Sequence, residues 1–82
     1  MTARMTGRQL RKHIDALGLS QPQFAALIGI DFRTVNRYAR GALPIPRPVA
    51  ILTELLATVR KDPGLWAELQ NSLSHLGPIP TA

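Results

Sequence analysis

The sequence contains no cysteine, which rules out a disulfide framework, a thiolate metal site and a cysteine nucleophile. Aromatic residues are nearly as scarce, with one Trp, one Tyr and two Phe among 82 residues. A chain this short buries a core that yields only a few kcal/mol of net stability, so one domain held by aliphatic packing, leaning on a partner subunit, is expected. No run of apolar residues is long enough to cross a bilayer, and the Met1 to Leu10 stretch carries Arg4, Gly7 and Arg8 in place of a leader's apolar core. The expectation is a soluble, cytoplasmic protein with no membrane contact. His13 and His75 lie far apart, no His or acidic pair has metal-ligand spacing, and no glycine-rich phosphate loop occurs. The sequence therefore predicts no enzyme, no cofactor and no metal, and reads His13 as a surface residue.

Acidic residues are the other shortage: ten Lys and Arg face five Asp and Glu, for a net charge of +5. The imbalance sits in one half. Up to Arg47 there are eight bases (Arg4, Arg8, Arg11, Lys12, Arg33, Arg37, Arg40, Arg47) against Asp15 and Asp31, a surplus of six. From Pro48 onward, Arg60 and Lys61 face Glu54, Asp62 and Glu68, a deficit of one. A positive half joined to a near-neutral half suits a protein with one face toward a polyanion and another that packs or pairs.

What is present is helical periodicity. Leu10, Ile14 and Leu17 fall at i, i+4 and i+7 between charged residues, with Thr6 placed to cap the helix and Gly18 to stop it. Ser20 stands three residues before Gln23, the spacing of a capping box, and Pro22 lies in the first turn, where its missing N–H costs little. Phe24, Ala25, Leu27 and Ile28 supply the buried side of this second helix, which Gly29 interrupts by offering a left-handed corner. Asp31 caps a third helix, Phe32 to Arg40, ended by Gly41. Pro44, Pro46 and Pro48 stiffen an extended link, and the next helix starts at Arg47 or Pro48. Leu52, Leu55, Leu56 and Val59 form its apolar stripe, widened by Ile51. Asp62 and Pro63 open a last helix, 63–75, bearing Leu65, Trp66, Leu69 and Leu73, and the tail 77–82 has no periodicity and is read as flexible. The fold expected is an all-α compact bundle of about five short helices.

The segment Gln21 to Gly41, QPQFAALIGIDFRTVNRYARG, resembles the helix-turn-helix of the Cro and phage-repressor (XRE-type) regulators. The family pattern of a small residue, a corner glycine four residues on and a branched apolar residue six beyond that is met by Ala25, Gly29 and Val35. Ile28, Ile30, Val35 and Tyr38 would clamp the two helices together. The resemblance extends less specifically over Thr6 to Val59. It implies a lambda-repressor-like DNA-binding domain over residues 1–76, whose third helix enters the major groove of double-stranded DNA.

On that resemblance Phe32, Arg33, Thr34, Asn36 and Arg37 are the candidates for base reading. Arg pairs bidentately with guanine, Asn with adenine, and Phe touches a thymine methyl. For Arg37 a phosphate contact is an equal alternative. Gln21, Gln23, Tyr38 and Arg40 are the phosphate candidates; Gln23 has the competing role of closing the capping box and Arg40 that of capping its own helix. The chain departs from the family at Ala39, where an acidic residue is common, and at Phe32, where a polar one is.

A single recognition helix buries too little surface for tight specific binding, and the family solves this as homodimers over two half-sites about 34 Å apart. Leu65, Trp66, Leu69, Leu73 and Leu76 are the candidate dimer contact, with closure of the intramolecular core the alternative for Trp66 above all. The implied function is a homodimeric transcriptional repressor of phages or mobile elements. The same arrangement also resembles antitoxins, whose partner is a toxin protein, and small anti-CRISPR-associated repressors.

Overall fold

Each helix begins at a feature that deals with its first free N–H groups, and this punctuation sets the architecture. The computed structural model describes residues 4–76, and these contain α1 (Gly7–Ala16), α2 (Gln21–Ile28), α3 (Phe32–Ala39), α4 (Arg47–Arg60), α5 (Pro63–Leu73) and a closing 3-10 turn, Ser74–Leu76. No strand occurs among the described residues, so the all-α bundle of five helices is as expected. The tail expected at 77–82 lies outside the described residues, as do residues 1–3. No helix among the described residues is long and apolar enough to cross a membrane.

Thr6 caps α1 through a complete capping box: its Oγ1 accepts from Gln9 N at 3.1 Å while Gln9 Oε1 accepts from Thr6 N at 2.8 Å. Ser20 and Gln23 do the same for α2, at 3.3 Å and 2.9 Å. Asp31 Oδ1 accepts from Arg33 N at 2.7 Å to start α3, and Asp62 Oδ1 accepts from Gly64 N and Leu65 N to start α5. Helices of eight residues are marginal alone, and each such cap contributes about 1 kcal/mol. The exception is α4, whose N-cap Pro46 makes no side-chain bond; Pro48 lies in its first turn, where an N–H would have no partner.

Two boundaries differ from the sequence reading. The third helix ends at Ala39, with Arg40 as its cap, and the last α-helix ends at Leu73 and tightens into the 3-10 turn, a common way for a final turn to finish.

The core is built on Leu10 and Ile14 of α1 and its C-cap Leu17, which meet Phe24, Ala25, Val35 and Leu56. Leu19 and Ile45, from connecting segments, are also buried there. The apolar stripe expected on α4 is rotated. Thr53, Leu56 and Ala57 are its buried residues, whereas Ile51, Leu52 and Leu55 are exposed. Small side chains at 53 and 57 permit a close helix approach that a row of leucines would prevent. Thr53 is 0 % exposed, and its hydroxyl donates to the Val49 carbonyl at 2.7 Å, so its burial leaves no orphaned donor.

The bundle is tightest where α1 begins. A Cβ on Gly7 would lie 2.5 Å from the Ala39 carbonyl oxygen and 2.7 Å from that of Tyr38, so only glycine lets the start of α1 rest on the end of α3. Gly7→Ala should therefore lower the unfolding free energy by about 1–3 kcal/mol in urea titrations. Gly64→Ala, whose Cβ meets nothing closer than Asp62 Oδ1 at 3.4 Å, should leave stability unchanged or raise it by up to about 1 kcal/mol.

Candidate nucleic-acid interface

The helix pair α2 and α3 packs face to face. Ala25 and Val35 are buried in the contact, and Leu27, Ile28, Ile30 and Tyr38 are half-buried against the same core. The turn between them is made by Gly29, whose φ of 77° lies in the left-handed region, and a side chain there would strain the backbone. Ala25 accepts at its carbonyl from both Gly29 N and Ile30 N, which closes the corner.

With Val35 and Ala39 inward, the opposite side of α3 is open. Phe32, Arg33 and Arg37 are exposed, Thr34 and Asn36 half-buried, and Arg40 exposed just beyond the helix. Phe32 keeps 45 % of its surface accessible, unusual for one of only two phenylalanines in the chain. The structure thus brings the five candidate base readers onto one helix.

Three of the named polar residues form a hydrogen-bonded chain across the helix pair. Asn36 Nδ2 donates to Gln21 Oε1 at 3.3 Å, and Arg40 Nε donates to Asn36 Oδ1 at 2.9 Å. Gln21 is the first residue of α2, so the chain links the N-terminus of α2 to the end of α3. An amide has two lone pairs and two N–H groups; one of each remains on Asn36. Gln23, by contrast, has its carbonyl oxygen committed to the capping box. Tyr38 lies against the core, with its ring half-buried.

The charges of this face have no carboxylate partner. Among the described residues the salt bridge recorded is His13 Nε2 to Glu54 Oε1, 3.0 Å, between α1 and α4. Arg33, Arg37 and Arg40 make no ion pair among the described residues; Asp31, two residues before Arg33, uses Oδ1 at the α3 cap. Unpaired arginines on a projecting helix create a positive potential that attracts an anion.

Arg11, one of the eight bases of the positive half, has a structural partner. Its guanidinium donates through Nη1 to the Ala39 carbonyl at the C-terminal end of α3, where a cation favours the helix dipole. The bond spans 28 positions in the chain, so no local pattern could have revealed it. It also shows what stands at Ala39 in the absence of an acidic side chain: the backbone carbonyl itself takes the cation.

The C-terminal candidates differ in how far they are already covered. Trp66 and Leu69 pack against the core, Leu73 is half-buried, and Leu65 and Leu76 are exposed. The Arg60 guanidinium lies over the Trp66 ring at 5.6 Å, joining α4 to α5 by a cation–π contact. No three His, Asp or Glu side chains among the described residues are grouped to hold a metal ion.

Comparison with family models, with curated proteins and with solved structures finds no match to this chain. The chemistry of the site rests on its own geometry: a helix with two free arginines, Arg33 and Arg37, and one exposed aromatic ring, braced by a polar chain that ends at Arg40. Arg11→Ala should lower stability by about 1–2 kcal/mol, because the last carbonyls of α3 lose a charge-assisted bond. Denaturant titration checks this, and an unchanged midpoint would mean that solvent replaces the guanidinium at no cost.

Proposed function

We propose that the chain is a sequence-specific double-stranded DNA-binding regulator of the Cro and phage-repressor type, acting as a homodimeric repressor on a palindromic operator. The observation that carries this reading is the outward side of α3, where Arg33, Arg37 and Phe32 stand exposed on a helix held by a glycine corner and a buried α2–α3 contact. A helix of this size fits the major groove, and arginine is the side chain that pairs bidentately with guanine O6 and N7.

Arg33 and Asn36 are the base readers. Arg33, in the first turn of α3, has no side-chain hydrogen bond among the described residues and can extend fully. Asn36 reaches adenine with the lone pair and N–H that Gln21 and Arg40 leave unused. Phe32 lies against a thymine methyl at the same end of the helix. Gln21 and Arg40 meet phosphates on either side, already oriented by their bonds through Asn36. Arg37 adds positive charge one turn after Arg33. The start of α2 adds only the Gln21 N–H, because Pro22 has none and Gln23 N is taken by the Ser20 cap.

Selection of bound sequences from a random duplex pool, repeated at two salt concentrations, tests this directly. A palindrome with half-sites about one helical turn apart is the expected result. Absence of any enriched motif, with binding that vanishes at physiological salt, would overturn it. On the selected site, Arg33→Ala or Asn36→Ala should each cost about 1–3 kcal/mol and relax preference at one base step; equal losses on random DNA would contradict base reading. Arg40→Ala should weaken all sequences alike and flatten the salt dependence by about one unit.

A further inference from the structure

The outward side of α4 is apolar where a monomer has no use for it. Val49, Thr53, Leu56 and Ala57 turn inward or toward the core, while Ile51 and Leu55, on the opposite side of the helix, keep 48 % and 58 % of their surface exposed. They border a groove of about 860 Å³ whose other walls are Arg4 and Met5 ahead of α1, Gln9 within it, and the Pro44–Pro46 link. Two charges share this side of α4, Arg47 and Glu54.

Their spacing selects the occupant. Arg47 precedes Ile51 by four residues and Glu54 follows it by three, so the face reads positive, apolar, negative about a centre at Ile51. A second α4 laid antiparallel with Ile51 against Ile51 brings Arg47 opposite Glu54 of the second copy, and Glu54 opposite its Arg47, each within about one helical rise of 1.5 Å. A parallel copy would instead set like charge against like. Glu54 uses Oε1 for His13 and keeps Oε2 for this pair. A face that is its own complement in charge and shares an apolar centre has the form of an isologous two-fold contact.

We propose that a second copy of this chain docks antiparallel along α4, with Ile51 and Leu55 at the centre and reciprocal Arg47–Glu54 pairs at the rim. This supplies the partner surface that the operator-binding reading calls for, and it places the contact on α4 in place of α5, whose Trp66 and Leu69 are already packed against the core.

Sedimentation equilibrium of the full chain, without DNA and over a concentration series, tests it. The wild type should be dimeric, and I51K, still helical by circular dichroism, should be monomeric where the wild type is paired. R47E and E54R should each weaken the dimer by about tenfold, because each sets like charges together twice. Their combination, R47E/E54R, restores opposite charges and should return the affinity to within about threefold. A chain that stays monomeric throughout would overturn the proposal. So would a dimer that survives I51K but is lost in L65S, or a double variant as weak as the singles. A monomer that still selects a palindrome sinks this surface alone, whereas a dimer that selects no sequence sinks only the DNA-binding reading.

Discussion

The orientation of α3 depends on a backbone contact. The first residue of α1 lies directly on the last carbonyls of α3, with no room for a Cβ at Gly7, and Arg11, one turn further on, donates to the same Ala39 carbonyl. An eight-residue helix is too short to persist alone. At α3 the N-terminal support is the Asp31 cap, and at the C-terminal end the backbone N–H groups of Gly41, Ala42 and Leu43 close onto the Tyr38 and Arg37 carbonyls while α1 covers the Ala39 carbonyl. The angle at which α3 projects is therefore a property of the α1–α3 crossing as much as of the glycine corner before it. Buried Val35 and Ala39 only fill a space whose dimensions this contact has already set.

Behind the exposed side of α3, polar side chains divide into two mechanical classes. Gln21, Asn36 and Arg40 are tied to one another and have given up rotamer freedom on folding. Arg33 and Arg37 are untied, and fixing a side chain of that kind on binding costs about 0.5–1.5 kcal/mol. On the proposed reading braced Gln21 and Arg40 set register at phosphates, untied Arg33 reads sequence, and Asn36 is the one reader held in place by both of its tied neighbours. Phosphate positions recur at fixed spacing on any duplex and suit a braced donor, whereas base edges vary and suit a long side chain free to search. It matters equally that no carboxylate pairs with the Arg33 or Arg37 guanidinium among the described residues, because such a pair would compete with a nucleic acid for the same donors.

Much of this was legible in the sequence for a physical reason: caps and corners act over three or four residues. Thr6, Ser20, Asp31 and Asp62 mark their helices because a short side-chain oxygen reaches only its own first turn, and Gly29 marks the corner because its backbone conformation admits little else. The inward face of α4 was not legible. Counting leucines points to 52, 55, 56 and 59, but the face that packs is chosen by the neighbour it must approach, and there Thr53 and Ala57 fit better than larger residues. Ile45 and Leu19 escaped notice because a single apolar residue in a connecting segment has no periodicity to betray it. The Arg11–Ala39 bond and the Gln21–Asn36 bond join different helices, and nothing along the chain encodes them until the helices have packed.

The rotation of α4 bears on how complete this small core is. Leaving Ile51 and Leu55 about half exposed forfeits about 1 kcal/mol for each residue relative to full burial, a notable sum for a chain of 82 residues of ordinary marginal stability. Solvent exposure alone would be better served by polar residues at both positions, and the helix would form equally well with them. α5 sharpens the point, since none of its residues is buried and it rests on α4 through half-buried Trp66 and Leu69. The monomer thus places its largest surplus of helical apolar surface beside a groove, between charges of opposite sign. A second copy would convert that surplus into core, so that on the proposed reading folding, pairing and the spacing of two recognition helices would draw on the same helix.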